Sequence, residues 1–280
     1  MFEDDAAFAT FHQDVRRAAI IEIREKPQGF GAYDATAVVI DLTTRALVKV
    51  DTYSMGPSYR GGGAPRLPNG NIIVGGGRVA WTRLSQLASG DIEGELRVAP
   101  LSDPKSFTTV GRSREAITPI SVDENTLIYL VAAADRDDLR ARDLITGKER
   151  SLARVQQPTQ TSGPSNIARS GKLAGWLEMP SLTETTNARF RVVDVETGTA
   201  REMDVGAKYC STISANAYGF VWTCGDAKTP AALGYFDPIA WRQVDITSAT
   251  DGLLQASPDG FIWTGVVQGV RRAVLFPPPR

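Results

Sequence analysis

Short apolar runs that follow a turn and end in a large aromatic residue recur along the chain. The runs are RVAW, TLIY, KLAGW, YGFVW and DGFIW, which end at Trp81, Tyr129, Trp176, Trp222 and Trp263. Neighbouring members of this aromatic series lie 48, 47, 46 and 41 residues apart. A period of about 40 to 50 residues is typical of one supersecondary unit copied along a chain, and it is the spacing of β-propeller blades.

A second pattern has a related spacing. A strand ends in an aspartate directly before a turn in VVIDLTTR, ARDLITGK and VVDVETGT, at Asp41, Asp143 and Asp194. These aspartates are 102 and 51 residues apart. The two series together predict an all-β fold, a six-bladed β-propeller of four-stranded antiparallel blades.

The aromatic residues of the first series lie mid-strand in an inner position of each repeat. This position favours packing between adjacent blades over a sugar-binding platform, and each buried ring removes about 150–250 Å² from water. Trp241 lies outside the series in an outer strand, so we expect it to be partly exposed.

Six blades fit the chain as one domain, at about residues 18–51, 64–111, 116–155, 164–205, 209–247 and 252–276. The first blade shows no obvious inner strand, and the sixth has no fourth strand. We expect ring closure to involve the N-terminal segment, residues 1–17, within which residues 6–13 can supply a closing strand. A short helix is the alternative, because four apolar residues share one helical face: Ala7, Phe11, Val15 and Ala18.

Composition and charge exclude several classes of protein. The 280 residues are 42% hydrophobic and 22% charged, which is ordinary for a globular chain with a substantial core. No stretch approaches the roughly 18 apolar residues of a transmembrane helix. The net charge is -1, and no run of Lys or Arg follows a groove, so nucleic-acid binding is disfavoured.

The two cysteines, Cys210 and Cys224, lie at mirror positions about a turn near Ala217. In an antiparallel hairpin they would face each other at a separation that a disulfide can bridge. Such a bond implies an oxidising compartment, the periplasm or the cell exterior, with any signal peptide removed. The alternative is two reduced cysteines in the core of a cytoplasmic protein.

The repeats resemble those of a known group of propellers. SPDGFIWTG in the sixth repeat and FRVVDVETGTAREM in the fourth are similar to the WD-like repeats of TolB-like periplasmic propellers and of the propeller domains in prolyl-oligopeptidase-type enzymes. The resemblance extends over about residues 116–276. It implies the fold and a usual role in binding partners, and it assigns no catalytic residue.

The longer connections all belong to one predicted face of the ring. They are residues 24–35, 51–65, 84–94, 131–138, 156–164, 179–188 and 225–231. Long loops commonly carry recognition, and tyrosine and arginine are enriched in interfaces. The richest segment is DTYSMGPSYRGGGAPR, and the candidate binding residues are Tyr53, Met55, Tyr59, Arg60, Arg66 and Glu178. The alternative is a mobile insertion whose tyrosines cap the neighbouring blade.

Only one histidine, His12, is present, which argues against a Ser-His-Asp triad and against a zinc site of several histidines. Two enzyme activities known for propellers need no histidine. One is a calcium-dependent lactonase or hydrolase and the other is a glycosidase, and each would use carboxylates at the central channel. The available carboxylates are Asp123, Glu124, Asp135, Asp137, Asp138 and Glu178. However, the DENT and DRDD segments are typical of solvated turns.

These observations favour a noncatalytic, exported propeller that binds a protein or peptide partner through the face with the long connections and needs no cofactor. One alternative is a carboxylate enzyme of the kinds above, with calcium as its candidate cofactor. The other is the propeller domain of a larger peptidase.

Overall fold

The computed structural model consists of β-strands joined by turns and connections. It describes residues 7–13, 16–25, 32–56, 70–133, 136–156, 167–178, 187–206, 210–226, 229–247, 252–257, 260–267 and 270–276. Every regular element in these ranges is a strand, and they contain no helix that could span a membrane. The predicted all-β class is confirmed.

The chain divides into two compact units, Met1–Arg154 and Val155–Arg280. The first sheet consists of β1 (Ala7–Gln13), β2 (Arg17–Glu25), β3 (Tyr33–Asp41) and β4 (Leu47–Met55). The second consists of β5 (Ile72–Gly75), β6 (Arg78–Gln86), β7 (Ile92–Pro100) and β8 (Thr108–Ser113). The third consists of β9 (Ile117–Val122), β10 (Thr126–Val131), β11 (Arg136–Asp143) and β12 (Glu149–Gln156).

The remaining strands belong to the second unit. The fourth sheet consists of β13 (Ile167–Ser170), β14 (Leu173–Glu178), β15 (Arg189–Asp194) and β16 (Ala200–Asp204). The fifth consists of β17 (Cys210–Asn216), β18 (Gly219–Asp226), β19 (Thr229–Asp237) and β20 (Arg242–Thr247). Within the described residues the sixth has three strands, β21 (Gly252–Ser257), β22 (Gly260–Val267) and β23 (Val270–Phe276).

Each sheet is a meander, because strands that follow one another in the chain are also neighbours in the sheet. The pairing is antiparallel, for example between β2 and β3 and between β14 and β15. The predicted four-stranded antiparallel architecture is therefore confirmed. The closed ring of six blades, and the limits given for each blade, remain predictions.

The N-terminal segment forms a strand, so the alternative of a short helix is wrong. β1 pairs antiparallel with β2, with Phe11 opposite Ile20 and Gln13 opposite Ala18. It is the first strand of the first sheet and is not a member of the sixth. The local hairpin with β2 thus supplies the inner strand that the sequence did not reveal.

The aromatic series marks the second strand of successive sheets. Trp81, Tyr129, Trp176 and Trp222 are each no more than 2% exposed. In the second unit, the Trp222 ring lies 4.9 Å from that of Phe190 on the neighbouring fourth sheet, measured between centroids. Packing between neighbouring sheets is confirmed for Trp81, Tyr129 and Trp222, whereas the Trp263 side chain lies outside the described part of the structure.

Trp241 is half-buried, as predicted, but it ends a turn rather than lying in a strand. Its ring is perpendicular to that of Phe236, with the two centroids 4.9 Å apart. The Arg201 guanidinium lies over its other side, 4.7 Å from the ring centroid. These contacts account for its partial burial.

The aspartate series forms a recurrent turn between the third and fourth strands. The Oδ1 atom of Asp143 accepts hydrogen bonds from the N–H groups of Ile145 and Thr146, at 2.9 and 2.7 Å. Asp41, Asp194 and Asp237 make the same pair of bonds. The residue four positions after each aspartate has a positive φ, and it is Gly147, Gly198, Arg45 or Trp241. Glycine fits this left-handed position best, which explains the Thr-Gly ending of two of the turns.

Candidate functional site

The two ends of each sheet differ in their connections. The turn end holds the links from first to second and from third to fourth strand, such as the tight turns at Asp123 and Asp143. The connection end holds the links from second to third strand and from one sheet to the next. The longest gaps between strands, residues 56–71, 157–166 and 179–188, all belong to connection ends.

Four of the long connections expected from the sequence are shorter in the structure: the predicted loops 24–35, 84–94, 131–138 and 225–231 are reduced to gaps of 26–32, 87–91, 132–135 and 227–228 between strands. β6 continues to Gln86 and β7 begins at Ile92, so the predicted loop 84–94 is largely strand. β10 ends at Val131 and β11 begins at Arg136, which shortens the predicted loop 131–138. The connection end therefore carries fewer long connections than the sequence predicted.

Tyr53 and Met55 lie in a strand, so the predicted loop 51–65 is wrong for residues 51–55. β4 continues through Met55, and the side chains of Tyr53 and Met55 are only 5% and 1% exposed. The intervening Thr52 and Ser54 are exposed. This alternation is the period of two of a strand with one buried face. Both residues pack in the core between the first two sheets. Their predicted binding role remains a prediction.

The other candidates from this segment, Tyr59, Arg60 and Arg66, lie outside the described residues. The structure describes Gly70, which follows them in the same connection. A Cβ atom at Gly70 would come within 2.5 Å of the Tyr53 hydroxyl and 3.4 Å of the Ile21 side chain. Burial raises the pKa of Tyr53, which keeps its hydroxyl neutral. Gly70 thus lies in close contact with Tyr53.

A polar pattern accompanies the aromatic series and was not detected in the sequence. Arg97, Arg140 and Arg191 lie on the third strands of their sheets, directly opposite Trp81, Tyr129 and Trp176 respectively. Each arginine forms an ion pair with a largely buried carboxylate. An aromatic residue, an arginine and a carboxylate thus recur together in the second, third and fourth sheets.

In the second sheet, the aromatic residue and the arginine of this pattern also bind Asp51 of the first sheet. The Trp81 indole Nε1 donates a hydrogen bond to Asp51 Oδ2 at 2.9 Å, and Arg97 Nη1 donates to the same oxygen at 3.2 Å. Arg83 Nε lies 3.5 Å from it. The Arg97 guanidinium also stacks on the Phe107 ring at 4.0 Å. Asp51, which the sequence placed at the start of a long loop, therefore joins β4 to β6 and β7 instead.

Glu95 is the most densely hydrogen-bonded carboxylate of this group. Arg97 Nη2 donates to Glu95 Oε2 at 2.6 Å, while Thr109 Oγ1 and Arg112 Nη2 donate to Oε1 at 2.7 and 3.2 Å. Burial opposes the charged form, but these three donors outweigh it and lower the pKa of Glu95 to about 2. Glu95 is therefore a permanently charged structural group at neutral pH.

The third sheet corrects the interpretation of DRDD as a solvated turn. Asp137 and Asp138 are buried in β11. Asp138 accepts hydrogen bonds from Arg140 Nε at 2.7 Å and Ser151 Oγ at 2.5 Å. Arg140 also donates to Glu149 at 2.9 Å. Because Asp138 is held by its own sheet, it is not presented to a ligand, and Asp135 lies outside the described residues.

Glu178 is placed in a similar ion-pair arrangement in the fourth sheet. It is buried at the end of β14, accepts a hydrogen bond from Trp176 Nε1 at 3.2 Å, and lies 2.9 Å from Arg191 Nε. Arg191 also forms an ion pair with Glu202 on β16, with 3.1 Å between Nη2 and Oε2. These contacts indicate a structural role for Glu178 within its own sheet. Its predicted binding role remains a prediction.

The fifth sheet replaces the arginine by glycine, and the structure gives the reason. Gly234 lies opposite Trp222, and a Cβ atom there would overlap the Trp222 indole nitrogen. The ring therefore lies over the backbone of β19 where the other sheets carry a side chain. Close approach of a ring to the backbone requires glycine.

We expect Gly234→Ala to lower the free energy of unfolding by about 2 kcal/mol, because the added methyl group displaces a buried indole ring. Thermal and urea unfolding of the purified variant measure this effect. The matched control combines Gly234→Ala with Trp222→Leu. The glycine substitution should cost clearly less in the Trp222→Leu background, and equal costs in both backgrounds would contradict the contact.

Glu95, Asp138 and Glu178 are each paired with an arginine. Among the described residues, no group of three or more His, Cys, Asp or Glu side chains is arranged to hold a metal ion. Asp123 and Glu124 lie in a tight turn, where Asp123 accepts N–H bonds from Asn125 and Thr126.

The predicted disulfide is present between Cys210 and Cys224. The two residues are directly opposite each other on β17 and β18, as the mirror positions predicted. Both are at most 5% exposed and pack with Trp222 and Phe220 in the core of the second unit. The bond therefore joins the first two strands of the fifth sheet.

Comparison with known proteins identifies the fold. No protein-family model matches the chain, and no curated protein matches it. Among solved structures, the β-propeller domain of the Trilobed protease from Pyrococcus furiosus, which has an open velcro topology, is 11% identical with a TM-score of 0.61. That match covers 98% of this chain and 83% of the other.

Two further structures extend this likeness. A puromycin-hydrolyzing peptidase from Mycobacterium tuberculosis is 17% identical with a TM-score of 0.58, and the match covers 93% of this chain and 43% of that chain. TolB from Acinetobacter baumannii is 15% identical with a TM-score of 0.48, over 91% of this chain and 65% of that chain. The chain thus spans less than half the length of the peptidase.

The likeness shows the class of fold: the sheets are blades of a β-propeller. The resemblance to peptidase propeller domains that the repeats indicated is confirmed at the level of the fold. At these levels of sequence identity, structural similarity shows only the fold, and the function has to be argued from the residues of this chain.

Proposed function

We propose that the chain is a noncatalytic β-propeller that binds a protein or peptide partner at its connection end. The observation that carries this proposal is the connection 56–71, the longest gap between the described strands, which joins the first two blades. The strand before it ends with the buried residues Tyr53 and Met55, and Gly70, close to the start of β5, lies against Tyr53. A long connection between two well-packed strands is an arrangement that favours recognition. The proposal requires no cofactor.

The sequence of this connection supports a peptide or protein as the partner. It contains Tyr59, Arg60 and Arg66, and Tyr and Arg are the residue types that most often anchor interfaces. The buried carboxylates Glu95, Asp138 and Glu178 are already bound to arginines. The ionic groups of the described strands thus serve packing, which favours binding over catalysis.

The test selects phage-displayed peptides on the purified chain and then measures their affinity for two double variants. Tyr59→Ser with Arg60→Ser removes candidate anchors at the connection end. Ile145→Ser with Ile239→Ser changes the turn end, where these side chains are 74% and 95% exposed. We expect at least about tenfold weaker binding for the first variant, as for loss of an interface anchor, and wild-type binding for the second. The reverse order would contradict the proposal.

A second candidate function is that of the propeller domain of a larger peptidase. It is favoured by the match to the Mycobacterium tuberculosis peptidase, of which the chain covers 43%. An antibody against the chain should then detect a native polypeptide clearly larger than 30.2 kDa. A native polypeptide of the mass of this chain would contradict that role.

We also propose that the protein functions outside the cytoplasm. The disulfide between Cys210 and Cys224 supports this location, because such bonds persist mainly in oxidising compartments. Maleimide labelling of the native protein under denaturing conditions should find no free thiol. Two free thiols in the native protein would favour the cytoplasmic alternative.

A further inference from the structure

Arg83, on β6 of the second blade, has a guanidinium whose hydrogen-bonding capacity is unused within the described structure. Its Nε atom is buried and has no hydrogen-bond partner. Its one described ion pair is with Asp51, at 3.5 Å, and its side chain is 33% exposed. Buried polar groups are nearly always hydrogen-bonded, and a guanidinium presents five N–H donors in a fixed geometry that matches a carboxylate. Arg83 is therefore suited to bind a further acceptor.

The two carboxylates nearest to Arg83 already bind other donors. Glu95 lies directly opposite Arg83 in the register of β6 and β7, but its oxygens accept hydrogen bonds from three side chains on β7 and β8. Asp51 Oδ2 lies closer to Trp81 Nε1 and Arg97 Nη1, at 2.9 and 3.2 Å, than to Arg83. Neither carboxylate completes the coordination of the Arg83 guanidinium.

The ion pairs of the second blade contain one more arginine than carboxylate. The members of this group are Arg83, Arg97, Arg112, Asp51 and Glu95. The corresponding ion pairs of the third and fourth blades each join two arginines to two carboxylates within the described residues. Arg112 is well exposed and donates a hydrogen bond to Glu95. Arg83 therefore holds the positive charge that its own blade does not balance.

Both described ends of the connection 56–71 lie near Arg83. A Cβ atom at Gly56 would overlap the side-chain oxygen of Gln86, which follows Arg83 by three residues on β6. At the other end, Gly70 lies against the Tyr53 hydroxyl. Burial raises the pKa of Tyr53, and the positive charge of Arg83 opposes this rise. Arg83 thus belongs to the connection end, beside the segment to which we assign partner binding.

The connection itself has no carboxylate with which to balance Arg83. Residues 56–71 contain Arg60 and Arg66 but neither aspartate nor glutamate. The segment therefore adds positive charge to this end of the first two blades. A carboxylate that pairs with Arg83 would have to come from outside the segment, and a binding partner can supply it.

We propose that Arg83 binds a carboxylate of the peptide or protein partner, either an Asp or Glu side chain or the C-terminal carboxylate. This inference rests on the proposed function and adds the chemistry by which the partner is recognised. Hydrogen bonds between a guanidinium and a carboxylate are charge-assisted and directional. Because Arg83 is two-thirds buried, its pairing with a ligand is less screened by solvent than that of an exposed arginine.

The experiment begins with peptides selected on the purified chain in a display format that leaves their C terminus free. A selected peptide is synthesised in three forms: unmodified, with Asn and Gln in place of Asp and Glu, and with a C-terminal amide. Fluorescence anisotropy measures the affinity of each form for the complete chain. Loss of the carboxylate that Arg83 binds should weaken binding about tenfold, the scale of a charge-assisted hydrogen bond. The form that loses affinity identifies the source of the carboxylate.

Variants of Arg83 make the test specific. Arg83→Gln should bind the unmodified peptide about tenfold more weakly, and removal of the same carboxylate should then change the affinity by less than about twofold. Arg83→Lys keeps the charge without the planar fork and should give an intermediate affinity, which retains the test if Arg83→Gln fails to fold. Arg112→Gln is the matched control, because it removes an equal charge from the same group of ion pairs at an exposed position. It should bind as the wild type does.

The Tyr59→Ser, Arg60→Ser variant separates failure of this inference from failure of the proposed function. If that variant weakens binding while Arg83→Gln and removal of the carboxylates do not, the inference is overturned and the proposed function stands. If the dependence on the carboxylate persists in Arg83→Gln, another cation binds it, which also overturns the inference. If no peptide is selected, or if binding is insensitive to the Tyr59→Ser, Arg60→Ser variant, the proposed function fails and the inference fails with it.

Discussion

Glu95→Gln is expected to lower the free energy of unfolding at pH 7 by about 2 kcal/mol, since it removes the charge from a buried carboxylate with three donors. Arg97, whose side chain is only 13% exposed, would retain Asp51 as its remaining ion-pair partner. Thermal and urea unfolding measure the loss. Glu93→Gln, two residues earlier on β7 at a more exposed position, is the matched control and should change stability by less than about 0.5 kcal/mol.

The same substitution should change the pH dependence of stability. The pKa of Glu95 is about 2 in the folded protein and about 4.3 in an unfolded chain. Because the folded value is the lower one, the carboxylate contributes its full stabilisation above about pH 5, and this contribution is lost as the pH falls toward 2. The stability of Glu95→Gln should therefore fall less steeply over this range. An equally steep fall in both proteins would contradict the role of Glu95.

Removing the disulfide by Cys210→Ala with Cys224→Ala should lower the free energy of unfolding by about 3 kcal/mol. The bond closes a loop with a sequence separation of 14, and chain entropy predicts about this stabilisation for such a loop. A reducing agent should lower the melting temperature of the wild type to near that of the variant. It should leave the double variant unchanged.

The double variant also controls for other effects of the reducing agent. If reduction destabilised wild type and double variant equally, the effect would not come from this bond. If reduction left the unfolded wild type without free thiols, the bond would not have been broken. An unchanged melting temperature with both thiols demonstrably free would contradict a stabilising disulfide.

The features that the sequence predicted correctly are those determined by local spacing. The aromatic series predicted the second strands correctly, because a bulky side chain on these strands fills the space between neighbouring sheets, as Trp81 and Trp222 do. The aspartate series found turns at Asp143 and Asp194, since their side-chain bonds involve residues only two and three positions away. The disulfide followed from the symmetry of a hairpin about its turn.

The errors concern properties that depend on distant parts of the chain. Tyr53 and Met55 were assigned to a loop because tyrosines and glycines followed them, although the alternation of Thr52 and Ser54 with the two residues already indicated a strand. The polar segment DRDD indicated that Asp138 is exposed to solvent. Asp138 is buried instead, because Ser151 and Arg140 donate hydrogen bonds to its carboxylate. Neither partner can be assigned without the strand register.

The candidate site was predicted less well than the fold, for a related physical reason. Opposite Trp81, Tyr129 and Trp176 the strand register brings an arginine that lies 11 to 16 residues away in sequence, and no local rule indicates that pairing. Glu178 was grouped with carboxylates of a central channel, whereas its hydrogen bond with Trp176 ties it to its own blade. Such ion pairs can be identified only once the strand register is known.

The most direct test of partner binding at the connection end is a hydrogen-exchange footprint of the chain with a selected peptide bound. The account predicts slower exchange in the connection 56–71 and in the adjoining residues of β4 and β5. It also predicts unchanged exchange in the turns after Asp41 and Asp143. Protection confined to those turns, with the connection unaffected, would contradict it.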